Sequence, residues 1–203
     1  MIKTEKEYWD QAKELLGNYE VTYDANWKFD FINDPKSLLF HLSRCKFAMR
    51  MATKDRAVLE LGCEIGIGAS VLGEMAKSYL GVDRNPRDIE IAKKNIVGPK
   101  HSFLCDEYIG KKYGVFDSVI AFDVLNKIES GRMRLFLDGV LSQLSSNGIF
   151  ILGLSVDGGC SAAEIGDKLR LNFFQVWTFG MNGEILHTNP ENGYSIFLCC
   201  HKI

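Results

Sequence analysis

What the chain lacks narrows its function first. Its 203 residues contain no run of like charges, and the formal net charge is -2 with a pI near 6.1. A footprint for nucleic acid or for an acidic membrane surface is therefore missing, and neither is expected as a partner. No window approaches the roughly 18 apolar residues of a membrane span. Met1-Ile2-Lys3-Thr4-Glu5-Lys6 is charged with no apolar stretch behind it, unlike a secretory leader. The six cysteines, Cys45, Cys63, Cys105, Cys160, Cys199 and Cys200, form no CxxC pair and no Cys/His spacing of a zinc site. They read as reduced core residues of a cytoplasmic protein, and no metal is expected.

What is present suits one domain with an added N-terminal segment. With 46% hydrophobic and 25% charged residues, the chain can bury one full core but is short for two. Residues 57–203 alternate short apolar runs with amphipathic stretches, the pattern of a parallel sheet covered by helices. Strands are expected at Ala57 to Leu61, Tyr79 to Val82, His101 to Cys105, Phe116 to Phe122 and Ile149 to Leu154. Helices are expected at Ser70 to Ala76, Pro86 to Ile96, Arg132 to Leu144 and Ser161 to Leu171. Two aromatic and β-branched runs, Phe173 to Phe179 and Tyr194 to Cys200, should pair antiparallel across the linker Gly180 to Gly193. Residues 1–56 lack this alternation. They carry Tyr8, Trp9, Tyr19, Tyr23, Trp27, Phe29 and Phe31, and Ser37 to Met51 is helical in period.

Chemistry concentrates on Glu60-Leu61-Gly62-Cys63-Glu64-Ile65-Gly66-Ile67-Gly68. A strand that ends in an acid and turns through glycines into a helix lets backbone touch a ligand and presents free N–H groups. The dinucleotide fingerprint GxGxxG needs a third glycine three residues after the second. Val71 stands there, so a nicotinamide cofactor fits poorly.

The stretch Val58 to Gly68 resembles motif I of the class I S-adenosylmethionine-dependent methyltransferases. Gly81-Val82-Asp83-Arg84-Asn85-Pro86 resembles the family's second strand, whose terminal acid grips the ribose hydroxyls. Phe103-Leu104-Cys105-Asp106 stands where members place the acid or amide that meets the adenine amino group, and Glu107 follows it. Phe116 to Ile128 is similar to the fourth strand and the loop facing the methyl donor, Asn147 to Leu152 to the fifth strand, and the ending to the last antiparallel pair.

The resemblance implies an α/β, Rossmann-like fold: a seven-stranded, mostly parallel sheet with an antiparallel C-terminal strand and an N-terminal helical addition. It implies S-adenosylmethionine as cofactor and S-adenosylhomocysteine as product, held by Glu60, Gly62, Cys63, Gly66, Gly68, Asp83, Arg84, Asp106, Glu107 and Asp123. Many small-molecule members carry a Glu-His pair where this chain has Asn126-Lys127, so a base must come from elsewhere. The candidates are Asp123 and His41, the latter with Arg44 on one helical face; His187 is a weaker alternative.

Plainer roles stand beside these. Asp83 could cap the helix near Pro86, Asp106 could serve a turn, and Asp123 could cap Val124 to Ile128. The N-terminal aromatics could form a lid over the cofactor or simply attach the segment to the sheet. The functional expectation is methyl transfer to a small metabolite, an oxygen acceptor being slightly favoured. Trp177 to Thr188 resembles methyltransferases found with bacterial surface-polysaccharide genes. The alternative is a non-catalytic methyltransferase-like domain that acts by binding a partner. A base-modifying member is disfavoured, because Asp123-Val124-Leu125-Asn126 is not the Asn/Asp-Pro-Pro-aromatic motif. The oligomeric state stays open between monomer and homodimer.

Overall fold

The computed structural model describes Lys6 and residues 33–155, 161–183, 185–190 and 193–201. The N-terminal aromatics from Tyr8 to Phe31, and Cys160, lie outside that set, as does the lid expected there. In chain order the elements are α1 (Pro35–Ala52), β1 (Ala57–Leu61), α2 (Ile67–Leu72), β2 (Ser78–Asp83), α3 (Pro86–Asn95), β3 (His101–Cys105), β4 (Phe116–Phe122), α4 (Met133–Gln143), β5 (Leu144–Ser155), α5 (Ala162–Arg170), β6 (Gln175–Asn182), β7 (Ile185–His187) and β8 (Tyr194–Cys200). The sheet order is β3-β2-β1-β4-β5-β8-β6-β7. Strands β1 to β5 pair in parallel, β8 runs antiparallel to β5 and β6, and β7 antiparallel to β6.

This is the Rossmann-like architecture that the motifs imply, with one correction: the sheet has eight strands, not seven. The extra strand, β7, lies in the stretch expected as a linker and folds back on Gly180 to Asn182 around Gly183, whose φ is +61°. It is three residues long at the sheet edge, and Ile185 is 71% exposed. So short and exposed a strand needs no apolar alternation to form. Helix α2 also begins earlier than the expected Ser70, because the chain leaves its left-handed turn at Gly66 directly into the helix.

Side-chain alternation explains the layers. Val58, Ile120, Ile151, Ile196 and Leu198 face one core, while Leu59, Val119, Ala121, Phe150, Leu152 and Phe197 face the other, as period-2 strands require. The first core is closed by α1 and α2, through Cys45, Ala48, Ala52, Ala69 and Leu72. These are mostly small, so α1 lies close to its neighbours. Asp34 accepts from Ser37 N–H and Pro35 occupies the first turn, which starts α1 two residues ahead of the expected Ser37. The second core is closed by α4 and α5, through Phe136, Val140, Ile165 and Leu169. Of the described cysteines, Cys45, Cys63 and Cys199 are buried and Cys105 is exposed, so Cys105 departs from the expected core placement.

Strand order reverses between β1 and β4. The chain builds outward through β2 and β3, then returns to the other side of β1, leaving a crevice at the carboxyl ends of β1 and β4. Among the described residues, no helix is long and apolar enough to cross a membrane.

Candidate functional site

The crevice is lined by the glycine turn. Gly62 and Gly66 have φ of +79° and +80°, and a Cβ on Gly62 would lie 2.5 Å from Val124 Cγ1. The bare backbone is what lets the loop after β4 close against the turn. Between these glycines sits Glu64 with φ +48°, a left-handed conformation that side chains disfavour. Its N–H donates to Asp83 Oδ2 at 3.1 Å, while Asn85 N–H donates to Asp83 Oδ1 at 2.9 Å. Asp83, only 8% exposed, thus ties the turn to the end of β2. The helix cap is Asn85, which accepts from Arg87 N–H at 3.1 Å, so Asp83 is free of that role.

Glu64 also pairs with Lys127 at 3.0 Å. Glu64 is a wall of the site that the motifs alone do not single out. Its signal was an acid standing among spaced glycines.

A cavity of about 310 Å³ lies above the turn, and Ser37, His41, Arg44, Glu60, Glu64 and Asp123 are among its walls. Glu60 is 3% exposed and accepts a hydrogen bond from the Tyr79 hydroxyl. Burial pushes its carboxyl up to about 7, with nearby Glu64 and Asp83 adding to the rise and the Tyr79 hydrogen bond opposing it. A Cβ on Gly68 would stand 2.7 Å from Glu60 Oε1, so the acid fills the space below that glycine. His41 Nε2 lies 3.6 Å from Cys45 Sγ, and burial followed by the Arg44 charge lowers its ring to about 4. It is neutral at pH 7.

Asp123 directly follows β4 with φ +55°, and its N–H donates to Gly153 O at 2.9 Å. The short turn after it, Leu125–Lys127, carries no side-chain cap, so Asp123 does not cap it. Instead Asp123 Oδ2 accepts from Arg44 Nη1 at 2.8 Å and from the Tyr194 hydroxyl at 3.2 Å. The Arg44 guanidinium lies 3.7 Å over the Tyr194 ring. Burial pushes the Asp123 carboxyl up, against the pull of Arg44 and Tyr194. Arg44 and Asp123 also wall a second cavity of about 430 Å³, together with Phe40, Met181, His187 and Tyr194. His187 enters the site here, on the strand that the sequence pattern hid.

The other predicted residues lie around the ends of β2 and β3. Asp106 N–H donates to Asp83 O at 3.1 Å, and its two carboxylate oxygens accept from Glu107 N–H at 2.8 Å and the Tyr113 hydroxyl at 3.3 Å. Glu107 Oε1 is buried without a hydrogen-bond partner among the described residues. Arg84 is exposed. Cys63 packs over β2, where a Cβ on Gly81 would come 2.8 Å from its sulfur, and burial raises its thiol. Gly66, Asp83, Arg84, Asp106 and Glu107 are not walls of the first cavity; Glu60, Gly62, Cys63, Gly68, His41 and Asp123 are. No metal-ligating cluster occurs among the described residues.

The methyltransferase-domain family matches residues 39–179. No curated protein matches the sequence. Among solved structures, the chain is similar to a TehB-like S-adenosylmethionine-dependent methyltransferase from Corynebacterium glutamicum, with 15% identity, 97% of each chain covered and a TM-score of 0.67. It is similar to magnesium protoporphyrin IX methyltransferase from Synechocystis with bound S-adenosylmethionine, with 16% identity, 96% of this chain and 91% of that chain covered, and a TM-score of 0.65. The N-methyltransferase NodS from Bradyrhizobium japonicum, in complex with S-adenosylhomocysteine, gives 17% identity, 94% and 97% coverage and a TM-score of 0.65. The chain therefore belongs to the methyltransferase-domain family, with the fold of the class I S-adenosylmethionine-dependent enzymes.

Proposed function

We propose that the protein transfers the methyl group of S-adenosylmethionine to a small metabolite, with a hydroxyl oxygen the favoured acceptor. The observation that carries this reading is the wall shared by two adjoining cavities, the Arg44–Asp123 pair, with the glycine turn on one side and His187 on the other. Donor and acceptor on opposite sides of such a wall can meet at Asp123. The likeness to magnesium protoporphyrin IX methyltransferase and to a plantazolicin methyltransferase supports a small-molecule acceptor. The likeness of Trp177 to Thr188 to polysaccharide-associated methyltransferases supports a sugar-related one.

The residues present fit the cofactor. Each Asp83 oxygen takes one main-chain N–H, which leaves acceptor capacity for two adjacent ribose hydroxyls. Glu107 Oε1, buried and unpartnered among the described residues, and Asp106, whose oxygens each accept one hydrogen bond and keep further capacity, are both candidates to meet the adenine amino group. Arg44 would meet the carboxylate of the amino-acid end, and Glu60 would offer its ammonium a hydrogen-bond acceptor.

Bound there, the sulfonium supplies an activated methyl for in-line displacement, which leaves the protein mainly to align the partners and exclude water. Asp123 holds Arg44 and Tyr194 around the reaction centre. Neutral His41, on the donor side, and Asp123 remain the proposed bases for a hydroxyl proton. The bare glycines of the turn would let the donor approach its backbone closely.

Calorimetry with S-adenosylhomocysteine tests the site, and label transfer from methyl-labelled donor into cell metabolite pools tests the reaction. Asp83→Ala should weaken cofactor binding by about 1–3 kcal/mol. Absence of any binding by the unmodified protein sinks the cofactor reading, and binding without label transfer favours a non-catalytic domain.

A further inference from the structure

Tyr194 opens β8, yet its hydroxyl meets the acid that follows β4, two strands away in the sheet. The ring reaches it by crossing β5. Tyr194 pairs with Ser155 on that strand, and Gly153, two residues back, stands opposite Phe122 of β4. A Cβ on Gly153 would lie 2.6 Å from the Tyr194 hydroxyl oxygen and 2.6 Å from Phe122 Cδ1. The missing side chain of Gly153 is therefore the slot that the ring crosses. The carbonyl of the same glycine accepts from Asp123 N–H, so one residue seats both partners.

Helix α1 lays Arg44 over the ring, with Cζ 3.7 Å from its centroid. Arg44 Nη1 and the Tyr194 hydroxyl donate to the same oxygen, Asp123 Oδ2, at 2.8 and 3.2 Å. Three side chains from α1, β8 and the end of β4 thus close on one another. Tyr194 is 7% exposed, and a cation held on a ring face away from water is worth more than one at an exposed site.

A guanidinium is a rigid planar fork, and a carboxylate gains most from it when the fork is already turned to meet it. Asp123 fixes one nitrogen of Arg44, which leaves the plane able to turn about that contact. The ring of Tyr194 removes this freedom, so that less side-chain entropy is lost when an anion arrives.

We propose that Tyr194 is a positioning residue for the methyl donor. Its ring holds the Arg44 guanidinium in the orientation that receives the carboxylate at the donor's amino-acid end, in the first cavity. Ring and hydroxyl have separate tasks: the ring orients Arg44, and the hydroxyl engages Asp123. The inference rests on the cofactor reading above, with Arg44 as the carboxylate's partner.

Calorimetry with two ligands tests it: S-adenosylhomocysteine, and 5′-methylthioadenosine, the same nucleoside without the amino-acid end. Tyr194→Leu should weaken S-adenosylhomocysteine about ten-fold and leave 5′-methylthioadenosine within about two-fold. Tyr194→Phe keeps the ring and should bind both within about two-fold of wild type. In an Arg44→Met background, Tyr194→Leu should cost S-adenosylhomocysteine nothing further, because the group that it orients is gone. Gly153→Ala displaces the ring without removing it and should reproduce the selective loss, which keeps the test open if Tyr194→Leu does not fold. Equal losses for the two ligands would show a merely structural role and overturn the proposal. So would a Tyr194→Phe variant as weak as Tyr194→Leu, or additive losses with Arg44→Met. Wild-type protein that binds neither ligand strikes the cofactor reading itself, whereas normal binding of both by wild type and Tyr194→Leu alike strikes Tyr194 alone.

Discussion

Arg44 and Asp123 stand 79 residues apart in the chain and meet at 2.8 Å, Nη1 to Oδ2, as the wall between the two cavities. With side chains 18% and 36% exposed, the pair is partly screened, and its net worth is about 1 kcal/mol. A double-mutant cycle of Arg44→Met and Asp123→Asn, read by urea unfolding, should show coupling of that size. Simple additivity would mean that the two side chains stand together without depending on each other.

Glu64 offers a test of backbone strain. Glu64→Gly and Glu64→Ala both delete the Lys127 bridge, which is exposed and worth at most about 1 kcal/mol. They differ in φ. At +48° the alanine keeps a Cβ in the left-handed region and the glycine does not. The glycine variant should therefore be more stable by about 1 kcal/mol, the reverse of the usual order, in which glycine loses more chain entropy. An alanine variant as stable as the glycine one removes the strain argument.

The parts of this site that the sequence showed and the parts it hid differ in physical kind. Strands β1, β2, β4 and β5 were legible because each carries a buried apolar run, whereas β3, at the sheet edge, buries none of its residues fully. Asp83 was legible because it ends one such buried run beside Pro86. His41 and Arg44 could be put on one helical face from spacing alone, but that spacing says nothing of what the face meets. The partners of Asp123, Arg44 and Tyr194, come from 79 and 71 residues away and depend on the tertiary fold. His187 was hidden for another reason. Its strand is three residues long and exposed at a sheet edge, so hairpin hydrogen bonding creates it and no hydrophobic pattern announces it.

Glu60 should make stability depend on pH. Its folded-state value of about 7 lies above the ordinary 4.5, chiefly through burial, so the folded protein favours the protonated form. That contribution is fully present below about 4.5 and is lost as pH rises through about 7. Chemical unfolding from pH 5 to pH 8 should show the wild type losing stability relative to Glu60→Gln, by on the order of 3 kcal/mol. Parallel curves for the two proteins would show that Glu60 does not titrate in this window.

Gly180 is the position where acceptor-side geometry can be disturbed without touching the glycine turn. A Cβ there would fall 2.1 Å from His187 Cε1 and 2.3 Å from Asn189 O. The histidine can swing aside, but the carbonyl is main chain, so Gly180→Ala must displace the loop that brings His187 to the second cavity. The strain should cost about 1–3 kcal/mol, seen as a fall in Tm of roughly 2–4 °C per kcal/mol for a chain of this size. The first cavity draws its walls from α1, β1 and the turn after it, the start of α2 and the end of β4, and none from the β6–β7 hairpin. S-adenosylhomocysteine affinity should therefore stay within about two-fold. A large loss of that affinity would mean that the hairpin and the glycine turn are mechanically coupled, and the separation of the two cavities by Arg44 and Asp123 would have to be abandoned.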